Sequence, residues 1–260
     1  MRSLIFTLLF FSQACSSQAL IREIKGKSPY EKSASYIFPE IIIQNNRVST
    51  ERINAQLQQD LLDIDKRTMK KSIFENVWGT KERPYSSLND LSYSVLYNSK
   101  KFLSISITAE GCGAYCEYFT RYYSFDSKTG KKIIPGSLLT KKGLEALLDS
   151  MNKRKETLLK QKLAEITDSL NNIVEKDSSS SSKEDLTEIK ELYADCLERS
   201  KFYTTEDLNF YFTKTGLFIF TDRCSAHFNR AIDELDDFNF RFQLKDWRKH
   251  FTSFAKQLIN

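Results

Sequence analysis

Apolar and polar residues alternate from Leu91 to Tyr97 and again from Phe102 to Thr108, with Asn98-Ser99-Lys100-Lys101 between them. Period-two alternation on both sides of a polar turn predicts an antiparallel hairpin. Leu103, Ile105 and Ile107 take one face of its second strand, and Ser104 and Ser106 the other, so the serine ladder predicts a face open to water. A third strand follows a cysteine loop and ends in the turn Asp126-Ser127-Lys128-Thr129-Gly130. Phe119, Tyr123 and Phe125 fall on one of its faces, Tyr118 and Tyr122 on the other. The same alternation returns at Leu208, Phe210 and Phe212, at Leu217 to Thr221, and at Phe238, Phe240 and Phe242. Tyr36 to Ile43 reads as one more strand, which Pro39 assigns to an edge or a bulge.

Elsewhere the period is helical. Ile53, Leu57, Leu61 and Ile64 follow a cap at Ser49 or Thr50. From Thr140 to about Lys176, Leu144, Leu148, Met151, Leu158, Leu163, Ile166, Leu170 and Ile173 mark the stripe of a long amphipathic helix. Lys141, Lys142, Lys153, Arg154, Lys155, Lys160 and Lys162 give that helix a basic face, read as solvated, with membrane-surface contact as the alternative. A Ser-rich connector at 177–183 leads to a second helix near Glu184 to Arg199, and an antiparallel helical pair over 140–199 is expected. A last helix begins at Asp246 and carries Trp247, Phe251, Phe254 and Leu258 on one face. The predicted fold class is α+β: a twisted antiparallel sheet covered by helices, with the long helical pair inserted between two strand groups. Residues 36–260 form one domain in this reading, after a polar tether at 15–35.

Composition adds little to that outline. The 260 residues are 40% hydrophobic and 28% charged, and the aromatics, 19 Phe and 12 Tyr among them, suit strands. A net charge of +5, spread along the chain, is too mild to argue for nucleic acid. The N-terminus adds an address. Arg2, the apolar run Leu4 to Phe11 and Ser12-Gln13-Ala14 ahead of Cys15 read as a signal peptide over 1–14. The arrangement resembles a bacterial lipobox, with Cys15 lipidated, as the mature N-terminus and membrane anchor. Cleavage after Ala19, giving a freely secreted protein, is the alternative. Both leave Cys112, Cys116, Cys196 and Cys224 in the domain. In an exported protein they predict two disulfides, with three possible pairings. Cys112–Cys116 with Cys196–Cys224 is the expected set. A four-cysteine zinc site is the sharper alternative, but it lacks paired Cys-x-x-Cys knuckles.

No catalytic constellation stands out, and no cofactor or metal is expected. The two histidines are His227 and His250. A Cys224–His227 dyad is the alternative that would make the chain a cysteine-dependent envelope hydrolase. The acidic run Asp233-Glu234-Leu235-Asp236-Asp237 lacks the spacing and glycine of a calcium loop and reads as solvated. Tyr115, Tyr118 and Tyr122 are the candidate ligand surface, a stacking platform for a sugar or a protein, with cross-strand packing as the alternative.

The order of parts resembles the extracellular domain of RsiV-type anti-sigma factors, which also precedes the catalytic domain of PdaC-type peptidoglycan deacetylases. The resemblance spans about residues 36–258. It rests on Gly113-Ala114, Tyr123-Ser124-Phe125-Asp126 with Thr129-Gly130-Lys131, Phe210-Tyr211-Phe212, Thr215-Gly216-Leu217-Phe218-Ile219-Phe220, and the close around Trp247. Tyr115 stands where the family has a histidine after Gly-Ala. The resemblance implies an α+β fold and a non-catalytic binding role in the cell envelope, with a lysozyme-like protein or a wall glycan as partner. A structural part of an envelope complex, contacted through the basic helix, is the third reading. Oligomeric state is open.

Overall fold

The computed structural model describes residues 18–64, 72–82, 87–113, 116–173, 180–199, 201–206, 208–225, 233 and 235–260. Cys15, Tyr115 and His227, and the signal-peptide reading of 1–14, lie outside them. The fold is α+β, built on two sheets rather than one.

The first sheet has the order β1-β2-β3-β4-β5: β1 Leu20–Lys27, β2 Ser35–Ile42, β3 Leu88–Asn98, β4 Phe102–Cys112 and β5 Cys116–Asp126. Its pairings are antiparallel except β2 with β3, which run parallel over Ser35↔Asp90 and Tyr36↔Leu91. The expected tether at 15–35 is therefore corrected: Leu20–Lys27 pairs with the whole of β2. As an outer strand it is rich in charge, with Arg22 bonded to Glu40, which is how edges resist further pairing and why its alternation is weak. Ala19 is tied in too, because Asn98 binds both its N–H (3.1 Å) and its carbonyl (2.8 Å). Pro39 sits inside β2 at no cost to the ladder. On the side away from β1, Asn54 accepts from Ile41 N–H at 2.9 Å and donates to its carbonyl at 2.8 Å, and Pro39 shares that parity.

Helix α1, Arg47–Leu62, covers one face of this sheet. Its cap is Asn46, whose side chain accepts from Ser49 N–H, and not Ser49 or Thr50. Those two hydroxyls turn elsewhere, Ser49 to Lys128 O and Thr50 to the Ile43 N–H. The turn after β5 thus docks on the start of α1. Gly130 (φ +66°) makes this possible, since a Cβ there would stand 2.7 Å from Ser49 Cα. Ile53, Leu57 and Leu61 of α1 pack on Leu91, Leu103, Ile105, Ile107, Tyr123 and Phe125 in a first apolar core.

A second core lies against the other face. The one-turn helix α2 (Pro135–Leu138) leads into α3 (Lys141–Ile173) and α4 (Ser180–Arg199). Residues 180–182 of the expected connector are helical, and 177–179 lie outside the described residues. The pair is antiparallel: Asn152, early in α3, binds both backbone groups of Phe202, just past the end of α4. Strands β6 (Asn209–Phe212), β7 (Gly216–Thr221) and β8 (Phe238–Gln243) make the second, antiparallel sheet. The chain then forms α5 (Leu244–Trp247), a 3₁₀ turn Arg248–His250 and α6 (Ser253–Ile259). The single closing helix is thus broken at Phe251, which bridges to Leu139, and Thr252 recaps it by accepting from Ala255 N–H.

The serine ladder is not wet. Ser104, Ser106 and Ser124 are buried, and β6 crosses from the edge of β5 onto their face. Asn209 bonds Tyr122 N–H and Thr120 O at the edge. On the face, Ser104 Oγ bonds Ser124 Oγ at 2.8 Å and donates to Phe212 O at 2.7 Å. Phe212 stacks on Phe102 at 4.2 Å, which ties β4 into the second core.

Candidate functional site

A cleft of about 1070 Å³ opens between β5, the end of α4, the chain that follows it, and the ends of β7 and β8. The strand β5 contributes Glu117 to Thr120 and Tyr122. The α4 end contributes Leu192, Asp195, Cys196 and Arg199. Phe202, Tyr203 and Thr204 come from the following segment, and Phe220 to Cys224 from the second sheet.

Two of the three expected ligand-surface tyrosines reach this cleft, by different means. Tyr118 stands out from β5, 59% exposed. The Glu110 carboxylate opposite it raises its phenol pKa. Tyr122 is not free in the same way: its ring stacks on Phe220 at 4.2 Å and meets Tyr211 at 5.2 Å, and burial raises its pKa. It is a wall of the cleft and a joint between the two sheets. Tyr115 lies outside the described residues.

The four cysteines pair as Cys112–Cys116 and Cys196–Cys224. Cys112 and Cys116 are direct register partners on β4 and β5, so their bridge closes the hairpin mouth. The second bridge joins α4 to the segment just after β7 on the cleft wall. Each sulfur is spent in a covalent bond, so the four-cysteine zinc alternative falls, and Cys224 has no thiol for a dyad with His227. Glu110 lies beside Cys112 and Cys116, but both of those sulfurs are taken by their bridge.

The acidic run is used structurally. Asp233 accepts from Tyr193 Oη at 2.7 Å and from Leu235 N–H at 2.9 Å. Asp236 and Asp237 each lie 3.4 Å from the Arg223 guanidinium, and Arg199 pairs with Asp195 at 2.7 Å. The cleft rim therefore carries two arginines matched by carboxylates, with aromatic planes at Tyr118 and at Tyr203, which is 81% exposed. Such a surface suits recognition of an extended polar ligand with flat apolar faces.

The basic face of α3 is not uniform. Lys153 is exposed and the Arg154 guanidinium lies 4.6 Å over Phe242, but Lys155 is buried. Its Nζ lies 4.4 Å from the Phe238 ring and 5.1 Å from that of Phe202, and burial pushes its pKa down to about 8. Lys155 lines the cleft and does not belong to a solvated face. Sequence reasoning placed Lys155 on the solvated basic face and missed Tyr203 and Arg223. For Lys155 the signal was present: Leu147, Met151, Lys155 and Leu159 fall four apart, so the lysine holds a core position of the helix. Nothing local marks Tyr203 or Arg223.

No protein-family model matches the sequence, and no curated protein matches it. Solved structures do. A crystal structure of a DUF3298-family member from Bacteroides fragilis superposes with a TM-score of 0.51 at 13% identity, covering 92% of this chain and 94% of that one. A DUF3298-family protein from Pseudomonas aeruginosa gives 0.48 at 9% identity, covering 91% and 94%. DUF3298 is a domain of unknown function in bacteria. At these identities the likeness is one of fold, and it extends over nearly the whole of the chain.

Proposed function

We propose that the chain is a non-catalytic recognition module of the bacterial cell envelope, and that its cleft holds a segment of a wall glycan. The cleft carries the reading: it is open and wide enough for several sugar rings, with the exposed rings of Tyr118 and Tyr203 on it and paired charges along its rim. The RsiV- and PdaC-type resemblance and two disulfides, usual in exported proteins, support the same reading. Anchoring through a lipid on Cys15 belongs to it. Ala19 is buried and tied to Asn98, so cleavage after Ala19 would cut beside a structural contact, whereas cleavage before Cys15 leaves that contact intact. Further along α3, Lys160 and Lys162 pair with Glu156 and Glu165 of the same helix, which favours a solvated face over an envelope-complex role.

Sedimentation with purified wall sacculi tests the function. The mature protein co-sediments, and Tyr118→Ala with Tyr203→Ala weakens that by about tenfold or more, as loss of aromatic anchors does. No sedimentation of the parent protein, or unchanged sedimentation of the double variant, overturns the reading. For the anchor, Cys15→Ser moves the protein out of the membrane fraction. Retention there rejects lipidation.

A further inference from the structure

Helix α3 buries Leu147, Met151, Lys155 and Leu159 at intervals of four. Three are apolar, and the lysine among them is 6% exposed. The rings of Phe238 and Phe202 attract its ammonium but do not neutralise it. The two arginines of the cleft have carboxylates: Asp195 for Arg199, and Asp236 with Asp237 for Arg223. Lys155 has none within ion-pair distance among the described residues, and burial lowers its pKa. A leucine would complete the stripe without that penalty. Lys155 nonetheless lines the cleft wall, with Lys201 also on it.

We propose that Lys155 is the anion-recognition group of the cleft, and that the ligand is a carboxylate-bearing glycan whose acid group reaches the ammonium between Phe202 and Phe238. This rests on the reading of the cleft as a glycan site. The ligand carboxylate supplies the counter-charge that the fold withholds, in a place where water competes weakly. A peptide carboxylate would offer the same charge, but the exposed tyrosine planes favour sugar rings.

The experiment uses the mature protein with isotopically labelled lysine. The Lys155 Cε signal is assigned by its absence from Lys155→Met, and from Lys155→Arg should the first variant fold poorly. The probes are glucuronate against glucose, and acetyl-dialanine against its amide. The expected result is a saturable shift of the Lys155 signal with glucuronate, and binding of glucose weaker by about tenfold or more. In Lys155→Met, where binding is read by titration calorimetry, that preference disappears. Equal response to glucuronate and glucose overturns the proposal, as does a preference that survives in Lys155→Met. Acetyl-dialanine binding as well as glucuronate overturns the assignment to a glycan. Sacculus sedimentation is read separately: should it fail while glucuronate still moves the Lys155 signal, the wall-binding function falls and the carboxylate site stands.

Discussion

Strand β4 is shared by two cores, and its two faces are buried in opposite chemistry. Leu103, Ile105 and Ile107 enter the first core, where α1 meets them with Ile53, Leu57 and Leu61. Ser104 enters the contact with the second sheet beside Phe102, and there a hydroxyl–backbone bond joins the stacking of Phe102 on Phe212. The helices repeat the contrast. Beyond Ser49 in its first turn the buried stripe of α1 is apolar, while that of α3 is interrupted midway by Lys155. The first core is built for stability. The second gives up some stability to hold a buried charge on the wall of the cleft.

The largest expected effect tests the first core. Leu57 is fully buried, and Leu57→Ala should cost about 2–5 kcal/mol by removing transfer energy and leaving a cavity. Denaturant unfolding measures it. A loss under about 1 kcal/mol would show that the first core is loosely packed. Next comes the bridge of the second core. Cys196→Ala with Cys224→Ala opens a loop with a sequence separation of 28 residues and should cost about 3–4 kcal/mol through the unfolded chain. Wall binding should fall as well, because the bridge forms part of the cleft.

Lys155→Met sharpens the contrast in the opposite direction. The side chain fits an aromatic cradle, so the variant should be more stable at pH 7 by about 1–3 kcal/mol while losing anion recognition. The sign of the pH dependence follows from the lysine pKa, lowered from 10.5 to about 8. Between these values the unfolded chain binds more protons, so native stability rises with pH across the window. The cost of the charge is fully present below about pH 8. Tyr123, with a pKa raised to about 12, works the other way above pH 10, so pH 7 against pH 9.5 isolates the lysine. The rise should be present in the parent protein and absent from the variant. Equal slopes in urea unfolding would place the ammonium in water.

What could be read in the sequence follows the same division. The β3–β4 hairpin, the α1 stripe and the turn ending at Gly130 are legible because one local pattern specifies each. The stripe of α3 is displaced in the sequence reading, which takes Leu148 and Leu158 in place of Leu147 and Leu159, because Lys155 hides the true row. Strand β1 is hidden because an edge carries charge where alternation would show. The serine ladder is legible as a row of serines, but its burial depends on a strand about a hundred residues further along, with Ser104 and Phe212 separated by 108 positions. The cleft is least legible of all, since its walls come from β5, α3, α4 and the second sheet, and only their packing brings Tyr118, Lys155, Tyr203 and Arg223 together.

The smallest expected effect asks whether the serine face is a true joint. Ser104 Oγ reaches both Ser124 Oγ and Phe212 O, and Phe212 N–H reaches Ser124 Oγ at 3.4 Å. Ser104→Ala leaves the buried Phe212 carbonyl without that donor and should cost about 1–2 kcal/mol. Ser124→Ala should cost less, because its contact with Phe212 N–H is long. Since the two hydroxyls share one network, the double variant should cost less than the sum of the two by about 0.5 kcal/mol or more. Thermal unfolding of the four proteins measures the coupling. Additive losses would mean that the two serines act apart, and that stacking of Phe212 on Phe102 alone fastens the second sheet to the first.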